Sequence, residues 1–86
     1  MKFKLNDKVK MRTDKRYWDK RYWDKGDIGR IVKIDSYFNS DFGSYGVLYE
    51  VCFDVNCTDA SSCEHHNTHW ANERSMDHVH HLMKVE

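Results

Sequence analysis

The sequence lacks long hydrophobic runs and an N-terminal apolar segment. No unbroken apolar run exceeds three residues, whereas a membrane span needs about 20. The first residues contain no h-region, so we expect no signal peptide and a cytoplasmic protein without a membrane partner. Charged residues make up 33% of the chain and the mean hydropathy is −0.89. At 86 residues, the chain is predicted to form one domain, residues 1–86.

Common catalytic motifs are also missing. The sequence has no Gly-x-Ser-x-Gly, no glycine-rich phosphate loop and no His-Glu-x-x-His. A domain this short also leaves little concave surface for a substrate pocket. We therefore expect a protein without enzymatic activity. Its three cysteines are an odd number in a predicted cytoplasmic chain, which favours free thiols or a metal over disulfides.

The net charge is zero, but it is unevenly distributed. Residues 1–33 contain 12 Lys/Arg and 5 Asp/Glu, whereas residues 34–86 contain 2 Lys/Arg and 9 Asp/Glu. The first part has a charge of +7 and the second −7. This asymmetry indicates a polyanion or an acidic protein surface as partner of the basic part. The alternative is that the fold interleaves the two parts and cancels much of the field.

Residues 14–23 are a tandem duplication of Asp-Lys-Arg-Tyr-Trp. A period of five places the two tryptophans on opposite faces of a strand, so the copies cannot form one uniform stripe. We predict a long loop between the first two strands, from which at least one aromatic pair returns to the core. Arginine with aromatic residues suits protein hot spots and base stacking. The alternative is a neutral duplication in a tolerant loop. The predicted contact residues are Arg16, Tyr17, Trp18, Lys20, Arg21, Tyr22 and Trp23.

Hydrophobic alternation and turn residues predict the strands. Strands are expected at 8–12, 27–36, 47–55 and 69–73, with a closing strand at 82–85 after a short helical turn. Gly26 and Gly29 are predicted to turn the chain tightly before the second strand. Residues 36–46 are predicted as a loop in which some aromatic residues cap the core and one or two are exposed. The alternation in 47–55 predicts that Cys52 is a structural strand residue.

A cluster of cysteines and histidines between 57 and 69 predicts one structural zinc ion. The predicted ligands are Cys57, Cys63, either His65 or His66, and His69. His78, His80 and His81 could join this site if the chain end folds back. The spacing contains no Cys-x-x-Cys pair, so the alternative is a polar loop without any cofactor.

The pattern of strands and glycines resembles the KOW and SH3-like barrel family. Residues 25–34, Lys-Gly-Asp-Ile-Gly-Arg-Ile-Val-Lys-Ile, are similar to the family's Lys-Gly-x-x-Gly-x-Val/Ile segment. Residues 6–11 are similar to its opening, with Asn6 in place of the usual glycine. Residues 49–54 resemble its third strand, and 76–85 its closing turn and strand. The likeness covers about two thirds of the chain. By size alone, the chain also resembles small phage-encoded inhibitors of host factors, a likeness that no residue motif carries.

The resemblance implies an all-β, five-stranded SH3-like barrel. The predicted long loop between strands 1 and 2 and the cysteine and histidine loop depart from a minimal member of this family. The resemblance also implies a binding module for RNA, ribosomes or proteins, although one fold hosts many functions. The first hypothesis is a module that binds or inhibits a protein through the basic aromatic segment. The second is RNA or DNA binding through the basic N-terminal third. The third is a domain stabilised by zinc.

Overall fold

The computed structural model describes residues 3–79, which form seven β-strands and two short 3₁₀ turns. Strands make up about half of the structure, and residues 3–79 contain no α-helix. The predicted all-β class is therefore confirmed. Within the same residues, nothing helical has the length and apolar character to cross a bilayer. The strands are β1 (Lys8–Met11), β2 (Lys15–Tyr17), β3 (Lys20–Trp23), β4 (Ile28–Asn39), β5 (Ser44–Cys52), β6 (Thr68–Asn72) and β7 (Met76–His78); the 3₁₀ turns are Ala60–Ser62 and Glu73–Ser75.

Five strands form one antiparallel sheet in the order β6-β5-β4-β1-β7. Strand β1 pairs with both β4 and β7, so that Val9 lies opposite Gly29 on one side and His78 on the other. The 3₁₀ turn after β6 redirects the chain, and β7 joins β1 instead of β6. The two edge strands are not paired with each other in the described part of the chain. Residues 3–79 therefore contain an antiparallel five-stranded sheet but no closed barrel. The fifth strand of this sheet is β7 instead of the predicted strand at 82–85, and the two-stranded sheet of β2 and β3 was not predicted.

The hydrophobic core follows the alternation of the strands. In β1, Val9 and Met11 are buried while Lys8 and Lys10 are exposed, as the sequence pattern predicted. Tyr49 is completely buried, and its hydroxyl donates to Glu73 Oε2 at 2.6 Å. Its buried polar atom is therefore satisfied. The core residues are Phe3, Val9, Met11, Trp23, Ile31, Tyr49, Val51, Ala71 and Met76.

Gly26 and Gly29 guide the chain into β4 in different ways. Gly26 has a φ of +92°, which glycine adopts without a steric penalty. Its N–H donates to the Met11 carbonyl at 2.9 Å, so the predicted turn at Gly26 is confirmed. Gly29 instead lies inside β4, where a Cβ would collide with Val51 of β5. It allows the two strands to approach closely, and the predicted turn at this glycine is wrong.

The β4–β5 hairpin occupies most of the segment that was predicted as a loop. Its ladder continues to Asn39 opposite Ser44. Aromatic residues favour strands, and the rings of Phe38 and Tyr45 contact each other across the ladder at 5.0 Å. These cross-strand aromatic contacts outweigh the turn signals of the surrounding serines and glycines. All four aromatic side chains of this segment are exposed, so none caps the core: Tyr37, Phe38, Phe42 and Tyr45.

The remaining strand predictions are partly correct. Strands β1 and β6 lie where alternation placed them, whereas β5 ends at Cys52 and leaves Val55 exposed. A helical turn does precede the last described strand, but it lies at Glu73–Ser75. Met76 itself begins β7, because the register with β1 places it in the core. The predicted closing strand at 82–85 and the histidines at 80 and 81 lie outside the described residues.

The duplicated segment forms a β-hairpin instead of the predicted loop. The Lys-Arg-Tyr of the first copy is β2, and the Lys-Arg-Tyr-Trp of the second copy is β3. The two copies pair with each other as a separate two-stranded sheet, with Arg16 opposite Arg21 and Tyr17 opposite Lys20. Each copy therefore supplies the strand partner of the other. This pairing cannot be detected from the hydrophobic period, because a five-residue repeat matches neither the strand period of 2 nor the helix period of 3.6.

Candidate functional site

The β2–β3 hairpin presents most of the predicted contact residues to solvent. Its two-residue turn consists of Trp18 and Asp19, and Trp18 has a φ of +59°. Bulky residues rarely adopt this conformation. The indole is 86% exposed, and its ring contacts the exposed ring of Tyr17 edge-on at 5.8 Å. The tip of the hairpin therefore displays two adjacent aromatic side chains.

Trp23 anchors the hairpin and is the one predicted contact residue that lies in the core. Its side chain is 3% exposed, and its indole N–H donates to the Thr13 carbonyl at 2.9 Å. Its ring lies 5.9 Å from that of Phe53. The expected return of an aromatic pair to the core is confirmed, because Tyr22 also packs against the core cluster. Of the other six predicted contact residues, Tyr22 is half-buried, and five are exposed: Arg16, Tyr17, Trp18, Lys20 and Arg21.

Asp24 holds the two arginines of the hairpin. Arg16 Nη2 lies 2.8 Å from one carboxylate oxygen, and Arg21 Nη1 lies 2.8 Å from the other. Residues 14–24 contain four Lys/Arg and three Asp, so their net charge is only +1. The hairpin is therefore rich in arginine but weakly charged as a whole.

An aromatic cleft of about 400 Å³ lies between the hairpin and β6. Lys15, Tyr17 and Tyr22 line it from the hairpin, and His69 and Trp70 line it from β6. The Lys15 ammonium lies 5.2 Å from the centre of the Tyr22 ring, which is within cation–π range. Cationic and aromatic groups therefore meet at one concave surface, which we call the hairpin cleft.

The sequence analysis did not assign a functional role to Trp70. Its side chain is 38% exposed although it lies within β6. Neighbouring residues of a strand point to opposite faces. Because Ala71 is buried, Trp70 lies on the exposed face, and a strand prediction for 69–73 could have suggested this. The cleft itself could not be derived from the sequence, since it depends on where the hairpin lies relative to β6.

His69 belongs to the hairpin cleft and not to the cysteine cluster. Its ring packs edge-on against Tyr22 at 5.1 Å and lies 6.1 Å from Phe53. Burial lowers the pKa of His69, and the nearby Lys20 and Lys15 charges lower it further. The aromatic surroundings therefore favour the neutral imidazole. The structure does not bring this predicted zinc ligand together with the thiols.

The three cysteines form a cluster in which every Sγ atom lies within 4.8 Å of the other two. Cys52 is buried at the end of β5, while Cys57 and Cys63 are partly buried in the following segment. None of them forms a disulfide. Cys57 and Cys63 were predicted as ligands, whereas alternation within the strand assigned Cys52 a purely structural role. The spacing Cys52-x₄-Cys57-x₅-Cys63 is the signal that could have included it.

Two histidines of the predicted metal site lie beside this cluster. His65 and His66 line the same small cleft as the three thiols. His65 Nδ1 lies 3.1 Å from Glu50 Oε2, and its backbone N–H donates to Cys63 Sγ at 3.3 Å. His66 Nε2 instead lies 3.4 Å from the exposed Glu64 carboxylate. Only His65 is therefore tied both to the sheet and to a cysteine.

Cys52 is poorly suited to act as a nucleophile. Burial raises the pKa of its thiol to about 12, and the neighbouring Cys63 and Cys57 thiols add to the rise although an Asp54 backbone hydrogen bond opposes it. The reactive form of cysteine is the thiolate, which is scarce at neutral pH when the pKa is this high. The expectation that Cys52 is not a nucleophile agrees with its environment.

The basic residues of the N-terminal third are spread over several surfaces. Lys8 and Lys10 lie on the exposed face of β1. Arg12 lies 3.6 Å from Asp77, and Arg30 donates to the Asn6 carbonyl at 3.0 Å. Two of these cations are thus engaged within the fold. Lys10, Arg12 and Lys25 line one cleft, and Lys8 and Arg30 line another.

The hairpin cleft and the cysteine cluster offer two different kinds of chemistry. The cleft can hold an apolar or aromatic group beside a cation, and the cluster can hold a thiophilic metal ion. Comparison with protein-family models, curated proteins and solved structures found no match. The function must therefore be inferred from the geometry of these two sites.

Proposed function

We propose that the protein is a non-enzymatic binding module that recognises another protein through the hairpin cleft and the hairpin tip. The observation that carries this proposal is that Tyr17, Tyr22 and Trp70 line one cleft together with Lys15. Aromatic side chains in a water-excluding depression are the usual anchors of protein interfaces. We further propose an SH3-like fold. The pairing of β1 with both β4 and β7, and the 3₁₀ turn before β7, support it.

The chemistry of the surface indicates a partner segment that combines an apolar anchor with acidic residues. The rings of Tyr22 and Trp70 can receive an apolar side chain, and Lys15 and Lys20 supply positive charge beside them. Both lysine ammonium groups lie 5.2 Å from the Tyr22 ring centre. An acidic residue next to the anchor would therefore meet unneutralised cations at the rim of the cleft.

A protein partner is favoured over nucleic acid by the charge of the hairpin. Affinity for a phosphate backbone depends on many uncompensated cations. Here both hairpin arginines are bound to Asp24, and the net charge of residues 14–24 is +1. Arginine and aromatic side chains in a weakly charged surface fit a protein hot spot better than a polyanion.

The experiment is affinity capture of the tagged protein from a lysate of the source organism, with and without nuclease. The test variant is Tyr17→Ala/Trp18→Ala, and the matched control is Phe42→Ala/Tyr45→Ala, which removes two exposed aromatic rings from the other hairpin. We expect a protein that survives nuclease and is retained by the wild type and the control. With that protein purified, the test variant should raise Kd about tenfold or more, since hot-spot truncations cost at least 2 kcal/mol.

Two results would overturn this proposal. Loss of all partners after nuclease would support the alternative, nucleic-acid binding through the basic N-terminal third. In that case affinity should fall with salt at a log–log slope of about −0.9 per phosphate contact on duplex DNA, and Lys8→Ala/Lys10→Ala should reduce the slope. Equal capture by the Tyr17/Trp18 and the Phe42/Tyr45 variants would show that the hairpin tip is not the contact surface.

A further inference from the structure

We propose that Cys52, Cys57 and Cys63 bind one zinc ion through their thiolates, and that the imidazole of His65 completes the tetrahedron. This site is independent of the hairpin cleft and of whatever the cleft binds. It differs from the zinc site predicted from the sequence, because it includes Cys52 and excludes His69.

The positions of the three sulfur atoms fit a tetrahedral metal. A Zn–S distance of about 2.3 Å places two thiolates of one tetrahedron about 3.8 Å apart. The three Sγ atoms already lie within 4.8 Å of one another, so small side-chain adjustments complete the geometry. A single disulfide would use only two of the three and leave the third thiol beside it. Three soft ligands at one point favour a thiophilic cation such as Zn²⁺.

The segment that carries three of the four proposed ligands (Cys57, Cys63 and His65) has little else to hold it. Residues 53–67 connect β5 to β6 without a single buried residue. The regular structure of this connection is a single three-residue 3₁₀ turn, Ala60–Ser62, and a connection this long with so little structure is uncommon in small domains unless it is functional or disordered. A metal ion stabilises such a segment by linking it to a strand, as in other small domains with limited cores. Here Cys52 of β5 is the link to the sheet.

Short local turns place Cys57 and Cys63 beside Cys52. The Cys57 N–H donates to the Asp54 carbonyl at 3.0 Å, which reverses the chain directly after β5. The 3₁₀ turn then ends at Cys63, whose N–H points to the Ala60 carbonyl at 3.4 Å. Asn6 Oδ1 accepts from the Ala60 N–H at 2.6 Å and ties this turn to the start of the sheet. The backbone therefore positions the cluster without help from apolar packing.

His65 is the best placed fourth ligand. Its Nδ1 atom is engaged by Glu50 Oε2 at 3.1 Å, and Glu50 shares a face of β5 with Cys52, two residues away. A metal-bound histidine commonly donates its second ring nitrogen to a carboxylate in this way. Its backbone N–H also donates to Cys63 Sγ, and N–H donors to sulfur stabilise metal thiolates. The group of atoms within 4.8 Å of one another contains the three Sγ atoms and no His65 nitrogen, so a movement of residue 65 that keeps the Nδ1–Glu50 bond has to bring Nε2 to the metal.

The test uses the purified full chain, reduced with a phosphine and titrated with Zn²⁺ or Co²⁺. We expect one Zn²⁺ per chain in native mass spectrometry. Co²⁺ should give the intense visible absorption of a tetrahedral site together with a sulfur-to-metal charge-transfer band. Chelation should lower Tm and expose the 53–67 segment to protease. These readouts require no knowledge of the binding partner.

Variants separate the ligands from their neighbours. Each change Cys52→Ser, Cys57→Ser and Cys63→Ser should abolish the charge-transfer band or reduce it, while Ser62→Ala in the same segment should leave it unchanged. His65→Ala should weaken zinc affinity at least tenfold, and Glu50→Gln about 10–100-fold. His66→Ala is the matched histidine control and should bind like the wild type.

Several outcomes would overturn the proposal. One is a reduced wild-type chain that retains no stoichiometric Zn²⁺ and gives no charge-transfer band with Co²⁺. Another is a Cys52→Ser variant that binds Zn²⁺ as tightly as the wild type. Weak binding in His66→Ala together with normal binding in His65→Ala would refute the assignment of the fourth ligand. If a cysteine variant fails to fold, the titration of the wild type still tests whether the site binds zinc, and the two histidine variants still test which histidine is the fourth ligand.

Discussion

The two copies of Asp-Lys-Arg-Tyr-Trp have the same sequence and opposite environments. In the first copy, Tyr17 and Trp18 are exposed at the hairpin tip. In the second, Tyr22 is half-buried against His69, and Trp23 lies in the core. Corresponding residues of the two copies are five positions apart, so they point to opposite faces of a strand. One copy therefore anchors the hairpin while the other presents it to solvent.

This difference shows how a short duplication can create a surface and its support together. The first copy gains a strand partner by pairing with the second. The second copy provides Trp23, whose burial and hydrogen bond to Thr13 hold the hairpin base. Each prediction below changes equivalent positions of the two copies, or the contacts of only one of them.

The largest effect is expected from the two tryptophans. Trp23→Ala should lower the free energy of unfolding by roughly 3–5 kcal/mol, because it leaves a cavity in the core. Trp18→Ala should change it by less than about 0.5 kcal/mol, as is usual for exposed side chains. Urea denaturation of both variants measures the contrast, with Trp23→Phe as an intermediate that remains folded. Equal destabilisation by the two alanine variants would contradict the assignment of Trp23 as the anchor of the hairpin and of Trp18 as an exposed side chain.

A smaller effect is expected from the aspartates that directly follow the two copies, Asp19 and Asp24. Asp24 binds Arg16 and Arg21, whereas Asp19 at the tip has no ion pair among residues 3–79. Asp24→Asn should cost roughly 0.2–1 kcal/mol for each exposed pair, and the cost should shrink in 1 M salt because the charges are screened. Asp19→Asn is the matched control and should be neutral. A loss that is the same in low and high salt would argue against the ion pairs as its cause.

The smallest effect is a pH dependence that arises from His69 of β6, which packs against Tyr22 of the second copy. The folded state lowers the pKa of His69, first through burial and then through Lys20 and Lys15. Below about pH 6.5, the ordinary His value, the unfolded chain gains a proton that the folded chain resists. Stability should therefore fall as the pH decreases from about 6.5 towards the lowered pKa. His69→Gln should flatten this part of the Tm–pH curve, and an unchanged slope would contradict the assignment.

Much of the fold could be predicted because alternation reflects burial directly. Strand β1, with its exposed Lys8 and Lys10 and its buried Val9 and Met11, follows from a period-two pattern. The extension of β4 to Asn39 could not be predicted, since cross-strand contacts between aromatic residues compete with a turn-rich composition. The sequence also could not predict that the sheet of residues 3–79 does not close into a barrel, because closure of the sheet depends on the path of the short turn between β6 and β7.

The candidate sites were predictable only in part, because each depends on contacts between distant segments. The repeat drew attention to Tyr17 and Trp18, but the cleft also needs Trp70, some fifty residues away. The cysteine and histidine cluster identified Cys57 and Cys63, whereas Cys52 was assigned to a strand and His69 to a metal. Cys52 does lie in β5, as predicted. Its proximity to the two loop thiols and the separation of His69 from them could not be predicted, because the sequence does not show which face of β5 or β6 meets the loop.

The most direct test of the central claim follows the three indole N–H signals in a ¹H–¹⁵N spectrum while the captured partner is added. The chain contains three tryptophans, one at the tip, one in the core and one in the cleft. We predict that the signals of Trp18 and Trp70 shift or broaden, and that the signal of Trp23 stays in place because its N–H remains bonded to Thr13. Unchanged signals of Trp18 and Trp70, with shifts confined to the Phe42 and Tyr45 amides, would contradict the account.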